Sequence, residues 1–298
     1  MLKKTLGRRG LDDYIVAFVT YIVVTAFALT IIYPMLNIFS VSMSSYTAYI
    51  KNPMMFLPSD FDFGAYRVTF RSKLLLNSYG NTIIITVLGT VLTLVITVLY
   101  AYPLSRPQLR FKPFFNTLII ITMIFSGGIV PAFLLMRSLK LINTLAAQYL
   151  PSILGAYNCI LMVNFFRTIP SELIEAAEVD GAKEPLILTK IILPLSKPIL
   201  ATIALFSSVG LWNNYFSAVI YTRTQDKWPV QLVLREMLLA SSTAALQAGG
   251  NLAEMMVNVP TNQLRYATLI IVMLPIMCVY PFLQKYFASG VILGAVKG

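Results

Sequence analysis

Six long apolar stretches dominate this chain, at roughly 14–43, 78–102, 114–136, 148–166, 198–220 and 266–284, and no Lys, Arg, Asp or Glu falls inside any of them. A helix needs about 20 mainly apolar residues to cross a bilayer, so each stretch predicts one membrane span. The segregation is strict, because a single charge at the centre of a span costs about 2.5–3.5 kcal/mol on insertion scales. The first stretch far exceeds the roughly 7–15-residue apolar core of a cleaved leader, and no small-residue cleavage site follows it. It reads as a span. Pro34, Pro131, Pro151, Pro275 and Pro281 lie within these stretches. Proline kinks a helix by removing a donor and crowding the preceding turn, which membrane bundles tolerate where neighbours satisfy the freed groups.

Composition agrees with this picture. Of 298 residues, 57% are hydrophobic and 12% charged, whereas a soluble domain carries about 25% charged residues. The expected fold class is an all-α membrane protein of six transmembrane helices, with residues 1–13 as a cytoplasmic N-terminal segment and 14–298 as a single domain. A net charge of +11 would point to nucleic acid in a soluble protein. Here basic residues flank spans instead, so the bilayer is the expected partner and nucleic acid is not. With the N-terminus inside, 13 of the 23 basic residues fall in the shorter, inner segments, most clearly Lys3, Lys4, Arg8 and Arg9 and the stretch "SRPQLRFK". Both termini are therefore placed in the cytoplasm. The chain has no histidine, and Cys159 and Cys278 sit in apolar runs without paired spacing. That argues against a disulfide framework, a metal site and any His-dependent mechanism. The large outer segments 44–77 and 221–265 exceed tight turns and suit contact with something outside. The second reads as partly helical through "VQLVLREMLLASSTAALQ" and breaks at Gly249-Gly250.

The inner segment 167–197, between the fourth and fifth spans, holds "ELIEAAEVDGAKEPLILTKIILPLSKP", with five acidic residues. Ser171 after Pro170 is suited to cap a helix start, and Glu172 and Glu175 fall where carboxylates suit the positive helix end. Asp180-Gly181 predicts the stop, since glycine accepts the left-handed conformation there. A second helix follows, with Pro185 in its first turn and "LILTKIIL" running to Pro194. A small, flat Ala176-Ala177 patch beside acids lets another surface approach the backbone, and the glutamates offer partners to Arg or Lys. One reading is a solvated amphipathic loop on the membrane surface. A lipid-facing helix, however, usually carries basic residues on its polar face, and a protein partner with a basic-lined cleft fits these acids better.

Glu175-Ala176-Ala177, then Gly181 after three residues, Ile191 after nine more, and Leu193-Pro194 resembles the EAA loop of the membrane subunits of ABC importers at every fixed position. The similarity extends through "FSGGIVPAFLL" and "LWNNYF" to "YPFLQKYFASGVILGAVKG" and points to the carbohydrate branch, close to polysaccharide and lipoprotein-associated permeases. The resemblance implies a type I importer-like permease fold in a bacterial inner membrane, with a cytoplasmic coupling helix between helices four and five. In that family this helix docks in a groove of the ATPase. Carried over, Glu175, Ala176, Ala177 and Gly181 form the coupling contact. Asp180, which precedes the glycine on the same helix, is added to them. The tail 294–298 would lie near the ATPase pair. Implied partners are a second, homologous permease subunit forming a heterodimer, two ABC ATPases and an extracytoplasmic solute-binding protein. No cofactor is expected on this chain, and ATP and Mg belong to the ATPases.

The residues themselves agree that energy comes from elsewhere. No G-x-x-x-x-G-K-[ST] phosphate loop occurs, and the spans lack the ionisable residues that proton- or voltage-driven carriers keep. The rival readings are a stand-alone secondary carrier and a permease for a non-sugar solute. An intramembrane enzyme would lack both a histidine base and any Lys, Asp or Glu in the spans. By the resemblance, the expected solute is a sugar, an oligosaccharide. Sugars bind through hydroxyl hydrogen bonds and aromatic stacking, which makes Asn158, Asn164, Trp212, Asn213, Asn214 and Tyr215 the pathway candidates. Trp and Tyr also form interfacial belts and Asn also bonds between helices, so the same residues have a structural reading. Gly181→Val should impair transport while leaving membrane insertion intact. Partner ATPase stimulation at the wild-type level in that variant would count against the coupling contact.

Overall fold

The computed structural model describes residues 11–239 and 260–295. The basic residues at positions 3, 4, 8 and 9, the middle of the outer segment with Gly249-Gly250, and the last three residues of the tail lie outside the described residues. Every regular element among the described residues is helical, and one isolated bridge joins Ser44 and Phe61. Three helices are each long and apolar enough to cross a membrane alone, over Tyr14–Ser42, Lys73–Ser105 and Asn262–Val279. Three further helix pairs reach that length only when each is taken as one bent span: Lys112–Ile124 with Ile129–Ser138, Ala146–Ser152 with Ala156–Phe166, and Glu184–Leu195 with Lys197–Trp212, the last bent by 79°.

The chain forms two compact units, Met1–Arg71 with Ser242–Ile270, and Ser72–Ser241 with Ile271–Gly298. In the first, α1 (Leu11–Ser42) keeps Pro34 inside an unbroken helix. Two short helices follow, α2 (Tyr46–Lys51) and α3 (Gly64–Arg71). Val41, Ala48 and Met55 form its core, with Tyr49 and Tyr266 against them. The buried amide of Gln263 donates to the Ser44 carbonyl at 2.5 Å, and the Ser42 and Tyr66 hydroxyls pair at 2.8 Å.

The second unit is built around α4 (Lys73–Ser105). Ser72 starts this helix by accepting from the Leu75 N–H at 3.4 Å. Two helices carry most of its packing, α8 (Ala156–Phe166) and α12 (Lys197–Trp212). Their shared core includes Val98, Ala101, Met162, Val163, Ile199 and Ile203. The fit is close at Gly89, where a β-carbon would stand 2.5 Å from Leu211 Cδ1 and 3.0 Å from Tyr149 Cβ.

The expected straight spans differ in instructive ways. The 114–136 stretch is two helices, α5 (Lys112–Ile124) and α6 (Ile129–Ser138), bent by 112°. Gly128 at φ 82° lets the chain reverse there. The 148–166 stretch is α7 (Ala146–Tyr149), a 3₁₀ turn at Leu150–Ser152 containing Pro151, and then α8, with a bend of 52°. The 198–220 stretch stops at Trp212 and resumes as α13 (Phe216–Tyr221), because Asn214 turns back to accept the Ser217 N–H at 3.1 Å. The 266–284 stretch is part of the unbroken α15 (Thr261–Ala295), with Pro275 and Pro281 inside it. The segment 221–265 holds α14 (Val230–Leu239), matching the start of its expected helix.

Gly89→Ala should destabilise the purified protein by about 1–3 kcal/mol, the usual cost of overpacking. Thermal unfolding in detergent checks this. An unchanged midpoint would mean that the α4–α12 contact is looser than the Gly89 geometry implies.

Candidate functional site

The acidic segment folds as α9 (Ser171–Val179) and stops as its sequence predicts. Gly181 adopts φ 81°, its N–H donates to the Glu178 carbonyl at 3.0 Å, and the Ala182 N–H donates to the Ala177 carbonyl at 2.9 Å. This pair of bonds is the Schellman stop, and Ala177 and Ala182 both pack on the core beneath it. A β-carbon at Gly181 would meet nothing within 4 Å, so the constraint on Gly181→Val is the left-handed backbone and not lack of room. The expected cap differs. Ser171 is the first helical residue, Pro170 occupies the capping position, and no side chain caps the helix.

One face of α9 is spent within the chain and the other is offered outward. Ile174 is buried and Ala177 half-buried, whereas Leu173, Ala176, Asp180 and Gly181 are exposed and Val179 is 88% exposed. Glu172 and Glu175 are also exposed. The second helix, Glu184–Leu195, runs as α10 (Glu184–Ile187), a π turn at Leu188–Ile192 and α11 (Leu193–Leu195), and so continues over Pro194 to Leu195. Its expected end at Pro194 is thus one residue short. The wide turn lies just before a proline that cannot donate, where an ordinary helical bond is missing anyway.

The sequence reading missed what holds this segment in place. Arg106, just past the end of α4, pairs with Glu178 of α9 and, at 3.2 Å, with Glu184 of the next helix. The Tyr102 hydroxyl donates to the same Glu184 carboxylate. The Arg106 side chain is only 12% exposed, against 43% and 56% for the two acids. Burial by itself would lower the guanidinium's pKa. The hydrogen bond to Glu178 and the Glu184 charge outweigh that and hold it above the ordinary arginine value. Exposed pairs contribute about 0–1 kcal/mol, but leaving a mostly buried arginine unpaired costs more. A cavity of about 220 Å³ beside this cluster is lined by Arg106, Arg167, Ser171, Glu175 and Glu178 among others. Arg106 and Glu178 are 72 positions apart, and no sequence spacing joins them.

The pathway candidates separate into different places. Asn158 and Asn214 line one cavity of about 540 Å³, together with Thr93, Ser152, Tyr157 and Ser207. Every polar side chain on it is uncharged, and the buried Ser207 Oγ has no hydrogen-bond partner within the chain. Asn214 also spends its amide on Ser217, at 2.8 Å. Asn164 lies elsewhere, on a cavity of about 220 Å³ with Asn116 and Arg167. Asn213 binds the Val209 carbonyl and the Gln231 amide. Trp212 is buried, donates to the Val272 carbonyl at 3.3 Å, and packs edge-on to Tyr79. Tyr215 lies under the Arg235 guanidinium, 5.4 Å from its ring centre. Thr93 and Ser207 were not anticipated. A hydroxyl in an apolar run carries little signal, since it also bonds back to its own helix.

A helical, span-rich chain with an exposed acidic helix and an uncharged polar cavity has the build of a transport subunit. Residues 86–293 match the family of binding-protein-dependent transport system inner membrane components, and the chain belongs to it. It is 40% identical to Protein LplC of Bacillus subtilis, over 91% of this chain and 90% of that one. It is also 37% identical to the polygalacturonan/rhamnogalacturonan transport system permease protein YtcP of the same species, over 91% and 94%. A solved bacterial ABC transporter that imports the acidic polysaccharide alginate contains a similar chain, with a TM-score of 0.86 and 36% identity over 94% of this chain and 99% of that one. This is a multi-pass inner-membrane permease subunit.

A double-mutant cycle on Arg106→Met and Glu178→Gln, followed by thermal unfolding, should give a coupling of about 0.5–3 kcal/mol, as expected for residues in one ion-pair network. Strict additivity would mean that the Arg106 cluster does not hold α9.

Proposed function

We propose that this chain forms one half of the membrane pathway of an ATP-driven importer, alongside a second, homologous permease subunit in a heterodimer. Two ATPase subunits, holding ATP and Mg on their own residues, supply the force. A solute-binding protein delivers the solute from outside. Both termini and the segment 167–197 face the cytoplasm, and 44–77 and 221–265 face outward. The solute is a sugar, an oligosaccharide, in keeping with the named cargoes of the related permease and of the alginate importer. The cavity bearing Asn158, Ser207 and Asn214 suits it, since amides and hydroxyls match sugar hydroxyls without demanding a charge.

One observation carries this reading: α9 turns an exposed apolar-and-small face, Leu173, Ala176 and Val179, away from its own protein, with Glu172, Glu175 and Asp180 around it. Such a face in water calls for a partner. Arg106 ties the back of α9 to the end of α4, so a push on Glu175, Ala176, Ala177, Asp180 or Gly181 reaches the helix on which the cavity residue Thr93 stands. A stand-alone carrier has no use for that arrangement.

The test is co-purification with the cognate ATPase, followed by binding-protein-stimulated hydrolysis in proteoliposomes. Ala176→Arg should lower ATPase retention at least tenfold with an unchanged melting temperature. Solute uptake that survives ATP depletion, without any retained ATPase, would favour the carrier.

A further inference from the structure

Asn37 stands out in α1, a polar amide in an otherwise apolar run. Its Nδ2 donates to two backbone carbonyls, those of Pro53 at 3.0 Å and Met55 at 3.1 Å. One turn further on, Ser40 Oγ donates to the Phe56 carbonyl at 2.7 Å. After α1 ends at Ser42, the chain therefore turns back and runs beside the helix it has just left. The Phe56 ring reaches lower still, its centre 4.9 Å from that of Tyr33. Tyr33 lies nine residues before Ser42, about 13 Å along the axis at 1.5 Å per residue.

Composition sets the depth. The apolar run begins at Tyr14, directly after Asp12 and Asp13, and crossing the hydrocarbon takes about 20 residues. The lowest position for the far boundary is thus Tyr33, and any later start moves that boundary toward Ser42. With a crossing of about 20 residues, Phe56 therefore reaches the edge of the hydrocarbon. Backbone at that depth is tolerated only when the protein satisfies its polar groups, and Asn37 and Ser40 do so for three carbonyls. The side chains follow the same gradient. Met55 is buried in the core, whereas Met54, Phe56 and Leu57 are 72%, 61% and 78% exposed. The exposed Tyr46 and Lys51 open and close α2, between the end of α1 and this segment, and are residue types that favour headgroup level.

We propose that the segment 53–57 is an interfacial anchor, with Met54, Phe56 and Leu57 inserted at the headgroup–acyl boundary of the bilayer beside α1. The occupant of this face is lipid: a short apolar tip at hydrocarbon depth beneath a tyrosine and a lysine is the pattern of interfacial insertion. The anchor rests only on α1 being a span, and holds whatever the solute or the coupling contact.

The experiment uses the assembled transporter in phosphatidylethanolamine–phosphatidylglycerol nanodiscs. Cys159→Ala and Cys278→Ser free the background, and nitroxide labels are placed at Met54→Cys, Leu57→Cys and, as the aqueous reference, Lys51→Cys. At positions 54 and 57 collisions with oxygen should exceed those with a water-soluble nickel chelate, with the reverse at 51. Adding Asn37→Leu should raise nickel access at 57 several-fold. Nickel access at 57 equal to that at 51 would overturn the anchor. So would shielding of 54 and 57 from both reagents, which would assign the face to a protein partner. The labels in the Asn37 chain decide the matter even if the Asn37→Leu chain does not assemble.

Discussion

Hydrocarbon offers no hydrogen bonds and poor solvation of charge, and this governs where each polar group of the chain is found. Charges stay out of the apolar runs, so what the protein does with charge is concentrated in a few connecting segments. Polar side chains that remain inside are mostly occupied. Thr82 back-bonds to the Ser78 carbonyl and accepts the Val230 N–H, and Trp212 finds the Val272 carbonyl. Other hydroxyls, those of Thr86, Thr90, Thr97 and Ser207 among them, stay buried without a partner within the chain, and the uncharged cavity gathers Thr93, Ser152, Asn158 and Asn214 on its wall.

The same constraint shapes the segment 167–197 from its other side. Arg106 sits at the end of α4, mostly buried, and its charge is acceptable there only because Glu178 and Glu184 meet it. That pairing fixes α9 and the helix after it to the end of α4. The inner face of α9 is committed to Ile174, Ala177 and the Arg106 cluster, which leaves Ala176 and Val179 nothing to cover but the outside. A helix held so firmly behind and so bare in front suits transmission of force better than a loose amphipathic loop would.

Broken helices shape the second unit as well. The 112° bend between α5 and α6 and the 52° bend before α8 interrupt runs that would otherwise pack as plain rods. The break at 213–215 ends α12 beside the cavity and puts Asn214 on its wall. At Gly89 the opposite holds. The missing side chain lets α4 meet Leu211 and Tyr149 closely, so the cavity stands on a tightly packed base.

By itself the sequence determined the apolar runs, the segregation of charge, the Gly181 stop and the EAA pattern of the coupling segment. These are local properties, set by hydrophobic length, by one residue's tolerance of positive φ, and by a motif of fixed spacing. Only the tertiary structure decided that Arg106 closes on Glu178 and Glu184, that Asn158 and Asn214 share a cavity while Asn164, Asn213 and Trp212 do not, and that the 114–136 run reverses at Gly128. Each of these depends on which distant segments meet. In an apolar solvent hydrophobicity says where a chain must run, but only packing says which polar groups it brings together.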